Sequence, residues 1–188
     1  NVLAQSINNN NDFFDTITSV VNDLRISCYI GAARATTFQN VTIYVENIGS
    51  QPITPTVNFQ HDALMSVFSF GSGLSGYNPS TRTLTYQGPQ ITPGQTITFH
   101  PSFIIPTSTP IGTSYTHSAE VLPIAGDATP ANNVFSRTDV TIGAYDPNRK
   151  LVYPSGDITA TQADLNYVIE FQNTGNDTAF TVELRDTL

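Results

Sequence analysis

Residues 165–186, LNYVIEFQNTGNDTAFTVELRD, repeat the design of residues 39–62, QNVTIYVENIGSQPITPTVNFQHD. Each copy is an alternating run, an Asn-x-Gly, a short polar turn, a second alternating run and an Asp. Alternation with a period of two marks a strand with one buried face, and Asn-x-Gly supplies residues that tolerate left-handed backbone in a turn. Asn47 and Asn173 lie 126 residues apart. A second, independent match sets Asn10-Asn11, Phe13, Thr16 and Val20 against Asn132-Asn133, Phe135, Thr138 and Ile142, at an offset of 122. Two offsets this close define a repeating unit of roughly 125 residues, the size of one domain. Residues 1–22 then read as the closing strand of a preceding module. Residues 23–143 read as a complete β-sandwich, and 144–188 as a hinge and the opening strands of a following, incomplete module.

The rest of the chain fits an all-β unit. Leu24, Ile26, Cys28 and Ile30 fall on one face of a strand and Asp23, Arg25, Ser27 and Tyr29 on the other. Val41, Ile43 and Val45 alternate with Thr42, Tyr44 and Glu46, and Val57 and Phe59 resume the pattern after the turn. Further strands are expected at 64–70, 83–87, 95–105, 113–124 and 134–143. Turn residues divide them: Gly71-Ser72-Gly73, Asn78-Pro79-Ser80, Pro93-Gly94, Pro110-Ile111-Gly112 and Ala125-Gly126-Asp127. Seven or eight short strands with regular turns predict an antiparallel sandwich whose core includes Leu24, Ile26, Val41, Ile43, Val45, Ile97 and Phe99. No window carries a helical period, and the Thr, Ile and Val content of 12–23 favours strand. About 45 residues with three short strands leave the apolar face of Tyr167, Ile169, Phe171, Val182 and Leu184 open. Continuation of the polypeptide beyond Leu188 is the expected cover, with strand addition from another chain as the alternative.

Composition narrows the function. Fifteen acids face seven Lys and Arg, for a net charge of -8, and there is no basic cluster, which argues against a nucleic-acid partner. No apolar run reaches the roughly 20 residues of a membrane span, so no direct membrane insertion is expected. Only 12% of residues are charged, and the surface must be built from Thr, Ser, Asn and Gln, a composition suited to the cell exterior. Cys28 is the sole cysteine, which leaves no internal disulfide and no CxxC motif.

The stretch Ala144-Tyr145-Asp146-Pro147-Asn148-Arg149-Lys150, then Pro154-Ser155-Gly156, Leu165-Asn166-Tyr167, Phe171-Gln172-Asn173-Thr174-Gly175 and Ala179-Phe180, carries a family signature. It resembles the YDPNDK…LxYxIxFQNTGxxxAF pattern of immunoglobulin-like modules in large bacterial surface proteins exported by type IX secretion. The Asn47-x-Gly49 turn, Pro93-Gly94 and the Gly126-Asp127…Asn132-Asn133 ending are similar to related conserved-repeat and CARDB-like immunoglobulin folds. The resemblance implies immunoglobulin-like antiparallel β-sandwich modules in tandem, in a stalk or adhesin on the bacterial cell surface. Arg149 stands where the family pattern has an Asp, so any cation ligand at that place in relatives is lost here.

Catalytic and cofactor motifs give little. Gly71-Ser72-Gly73-Leu74-Ser75-Gly76 has the letters of a dinucleotide fingerprint, but no helix follows it and no acid lies between Asp62 and Glu120, so it reads as a sandwich loop. His61, His100 and His117 have no metal-ligand spacing, and no GxSxG elbow is present. The expected protein is not an enzyme. Calcium is the one cofactor to weigh: Asp127 with Asn132 and Asn133, and Asp146 with Asn148, gather the oxygens a hard cation prefers. Asx turns account for the same residues with no ion. Tyr145, Asp146, Pro147 and Asn148 read as the hinge between modules, Pro147 fixing the backbone.

Between residues 63 and 119 Arg82 is alone among Asp, Glu, Lys and Arg, and Tyr77, Tyr86 and Tyr115 accompany many hydroxyls. This is either a plain hydroxyl-rich sheet or a neutral surface for a neighbouring module, another surface protein or a glycan. Asp-Thr-aliphatic contexts mark Thr16, Thr178 and Thr187 as candidate glycosylation sites. The function expected is a non-catalytic structural or adhesive repeat. A glycan- or protein-binding module, a filament subunit completed by strand exchange and an accessory domain of a secreted enzyme remain as alternatives.

Overall fold

A computed structural model describes residues 20–35, 37–157, 159, 161 and 164–186. Strand β1 (Leu24–Ile30) pairs antiparallel with β2 (Phe38–Asn47), and the burial pattern along both alternates residue by residue. β2 pairs on its other edge with β7 (Thr96–Phe99) and β8 (Ser102–Ile104), and β8 pairs with β4 (Ser66–Ser69). The facing sheet runs β10 (Val134–Val140), β9 (Ser114–Leu122), β3 (Thr56–Gln60), β6 (Thr83–Gln87), β5 (Leu74–Asn78). Order 1-2-8-4 against 10-9-3 is the arrangement of the two immunoglobulin sheets, here extended by the β5–β6 hairpin. The chain is therefore an all-β, immunoglobulin-like antiparallel sandwich.

The core lies between these sheets. Val41, Ile43, Val45, Val57, Phe59, Leu84, Tyr86, Phe103, Ile105 and Val121 are all sealed from solvent. Each such side chain contributes roughly 1.5–3 kcal/mol by leaving water. Phe103 stacks on Phe59, with ring centroids 5.7 Å apart, and joins the two layers.

Two expectations need correction. The run 95–105 is interrupted, because Pro101 has no N–H to donate and breaks the ladder into β7 and β8. The register itself is continuous, Asn40 opposite Ser102 and Ile43 opposite Phe99. The segment read as a glycine loop at 71–76 instead enters strand at Leu74: β5 pairs with β6, with a register shift between Leu74 and Gly76. Glycine in a strand commonly marks such an irregularity.

Beyond β10 the chain forms a separate two-stranded sheet, β11 (Arg149–Tyr153) with β12 (Asn166–Glu170). Its register copies that of β1 and β2. Ser27 faces Tyr44, and Arg149 faces Glu170; Cys28 faces Ile43, and Lys150 faces Ile169; Ile30 faces Val41, and Val152 faces Tyr167. The shift is 122 along the first strand and 126 along the second.

Candidate functional site

The same two shifts relate a pair of clamps, one where the chain leads into β1 and one where it leads into β11. Asn47 Oδ1 accepts the Gly49 N–H at 3.0 Å and Asn47 Nδ2 donates to Gln51 O at 2.8 Å. Asn173 repeats both bonds, to Gly175 at 3.0 Å and Asp177 O at 2.7 Å. Each Asn thus staples its own turn, and each turn seats on the incoming linker. Ile48 N donates to Asp23 O at 2.9 Å, and Thr174 N to Tyr145 O at 2.7 Å. Val21 N donates to Ser50 Oγ at 2.8 Å, and Gly143 N to Asn176 Oδ1 at 3.0 Å. The third position must be glycine in both. A Cβ at Gly49 would sit 2.4 Å from Val21 O, and one at Gly175 would sit 2.2 Å from Gly143 O.

The hinge residues hold the second clamp. Tyr145 N donates to Asn173 Oδ1 at 3.2 Å, and Asp146 Oδ1 accepts Gln172 N at 2.9 Å. With its nitrogen turned inward, the Asn148 amide donates to both Asp146 oxygens, at 3.1 and 2.9 Å. Pro147 lies exposed between them.

Asp127, Asn132 and Asn133 meet at the opposite end of the sandwich, against the start of β1. Asp127 Oδ2 accepts Leu24 N at 2.9 Å and Asn133 Nδ2 at 3.2 Å, and its Oδ1 accepts Thr129 N at 2.9 Å. Asp23 joins them, buried here although the alternation sets it on the outer face of the first strand. It accepts from Asn132 Nδ2 at 2.9 Å and Thr129 Oγ1 at 3.0 Å. Every carboxylate oxygen of the cluster thus has a protein donor, while the Oδ1 atoms of Asn132 and Asn133 are buried with no partner. Asp146 and Asn148 form a separate cluster at the far end of the sandwich. Among the described residues no three His, Cys, Asp or Glu side chains gather in a way that holds a metal.

The tyrosine surface needs correction. Tyr86 and Tyr115 point inward, Tyr86 OH donating to Phe70 O at 2.6 Å and Tyr115 OH accepting from Gln39 Nε2 at 2.9 Å. Of the three tyrosines only Tyr77 reaches the surface, partly buried beside His61. His117 is equally inward: its Nε2 bonds Gln39 Oε1 at 2.9 Å, and its Nδ1 accepts Asp62 N at 3.3 Å. Desolvation, then the neighbouring His61, pushes its pKa down from 6.5 to about 4. Burial pushes the Cys28 thiol up to about 12, which keeps it protonated and unreactive at neutral pH. Thr178 is exposed, whereas Thr16 and Thr187 lie outside the described residues.

One further group was not singled out from sequence. Arg34, in the turn after β1, pairs with Asp177 and lies over the Phe180 ring, 5.5 Å from guanidinium to centroid. The two charged side chains are only 31% and 12% exposed. Arg34 holds the Asp177 carboxyl below the usual carboxylate range, aided by the Thr178 N–H. An open groove of about 600 Å³ runs beside the pair, walled by Ile105, Ile111, Ile142 and Phe180.

A family model described as a domain of unknown function (DUF7619) matches residues 146–188. No curated protein matches the chain. Among solved structures, a CARDB domain from Pyrococcus furiosus, determined in complex with di-metal ions, is similar over 66% of this chain and 96% of its own. Its identity is 14% and its TM-score 0.47. A non-cellulosomal cohesin from Archaeoglobus fulgidus is similar over 55% of this chain and 81% of its own, at 14% identity and a TM-score of 0.35.

Proposed function

We propose that the chain is a non-catalytic length of a tandem immunoglobulin-like array, serving as a stalk or adhesin shaft on the bacterial exterior. The observation that carries this reading is the second copy of the β1–β2 ladder and its clamp, in matching register. A chain that begins the same module again after about 125 residues builds length by stacking units. The polar, weakly charged surface and the resemblance at 144–180 support an extracellular place and a type IX export route. Neighbouring modules are its immediate partners.

The apolar side of β11–β12 supports completion by further strands. Phe171, Phe180, Val182 and Leu184, on the chain that follows β12, are more than half exposed. We place the missing strands in the same polypeptide. The intact mass of the protein from its natural source tests this. A mass far above 20.4 kDa is expected. A mass near 20.4 kDa would replace the array with subunits joined by strand exchange.

A further inference from the structure

The two clamps match in backbone geometry but differ in charge. In the first, the residue after Ser50 is Gln51; in the second, the corresponding residue is Asp177. Arg34 follows β1, yet the matching stretch of sequence between β11 and β12, residues 154–165, contains no Arg or Lys. The acid occurs only in the second turn and the matching base only in the first loop. A contact shared by every joint would carry both in both copies.

We infer that Arg34 and the Asn173–Asp177 turn form a pair-specific latch, an interaction surface by which this sandwich accepts this following module and fixes its angle. Four contacts compose it. Arg34 binds Asp177 through its guanidinium and covers Phe180 with the same group. Asn176 accepts Gly143 N at 3.0 Å and donates to Thr141 O at 3.2 Å, on the segment that leaves the sandwich after β10. An exposed ion pair alone orders little, since solvent screens it. Here the pair is partly shielded, and the Asn176 bonds hold the turn in register beside it. Charge complementarity then chooses the neighbour: the Gln51 turn of another copy, seated at Arg34, would leave the guanidinium without its carboxylate. The order of modules is thus written into the joints, and this joint is stiffer than one whose loop lacks the Arg.

This inference rests on the tandem-array reading and is tested on the 188-residue chain. Spin labels at Ser136→Cys and Asn166→Cys, in a Cys28→Ser background, report the distance across the joint by double electron–electron resonance. Both labelled positions are exposed. The unsubstituted latch is expected to give one narrow distribution. Arg34→Ala and Asp177→Asn are each expected to broaden it at least about twofold, because freed modules sample many angles. Asp177→Asn keeps the shape of the turn, so broadening there reports lost charge rather than a disrupted loop. The exchanged pair Arg34→Asp with Asp177→Arg is expected to restore most of the narrowness. A broad distribution before substitution, an unchanged width in Arg34→Ala, or an exchanged pair no better than either single change would overturn the latch. None of these outcomes bears on the native mass, so the array reading stands or falls separately.

Discussion

Val41 and Val45 on β2 are 1% and 0% exposed, whereas Tyr167 and Phe171, their counterparts in the second copy, are 39% and 54% exposed. Both stretches alternate, both end in a stapled Asn-x-Gly turn, and both pair in the same register with the preceding strand. The difference is the facing sheet. β2 lies under Phe59, Leu84, Tyr115 and Val121, and no described strand lies over β12. Register is therefore set locally, by alternation and by the clamp, while burial is set by strands distant in sequence. Asn47 shows this within one residue. Its amide donates to Gln51 as Asn173 donates to Asp177, and then also to Ile91 O at 2.9 Å, a partner 44 residues along the chain.

The largest expected effect breaks the comparison at the core. Ile43→Ala, at a residue fully removed from solvent, is expected to cost about 4 kcal/mol in chemical denaturation, the transfer loss plus the cavity. Phe171→Ala is expected to cost no more than about 0.5 kcal/mol, as at other exposed positions. The chain has no Trp, so circular dichroism is the suitable probe. Equal costs at the two positions would mean that β12 is covered in solution.

Acidification comes next. His117 is neutral in the folded sandwich, its pKa lowered from 6.5 to about 4, and His61 shifts in the same direction through its own burial. A lowered histidine pKa means the unfolded chain binds the proton more readily. Stability is then full above pH 6.5, declines as pH falls toward 4, and loses on the order of 3 kcal/mol across that window. His117→Gln is expected to flatten the decline. All three histidines belong to the first sandwich, so the β11–β12 signal is expected to stay level over the same range.

The smallest effect concerns calcium. Protein donors already satisfy Asp23 and Asp127, so chelation is expected to shift the melting midpoint by less than about 2 °C. A rise of several degrees on adding calcium, lost in Asn132→Ala, would assign the buried Asn132 and Asn133 oxygens to a cation.

Much of the fold was legible because period-two alternation survives wherever one face is buried. The expected strand at 83–87 matches β6, and the core positions Leu24, Val41, Ile43 and Val45 are all inward. Strand β5 is hidden because Gly76 has no side chain to alternate and the register shifts between Leu74 and Gly76. Tyr115, one of the tyrosines of the neutral-surface alternative, sits two residues from inward His117 on an alternating strand and shares its buried face. Its hydroxyl finds a partner in the core through Gln39, a pairing 76 residues apart that no local pattern announces. Arg34 was illegible for the same reason, its partner lying 143 residues away. Setting Gln51 against Asp177 within the repeat is the one sequence signal that points to it.

The equivalence of the two clamps is most directly tested by amide hydrogen exchange at Ile48 and Thr174. Their N–H groups donate to Asp23 O and Tyr145 O, corresponding atoms of the two linkers. Both amides are expected to exchange at least about 100-fold more slowly than an unstructured chain, with Ile48 the slower because it opens only with the closed sandwich. Thr174 exchanging at the unprotected rate while Ile48 remains protected would contradict the account, since the second module would then have no seat on the first.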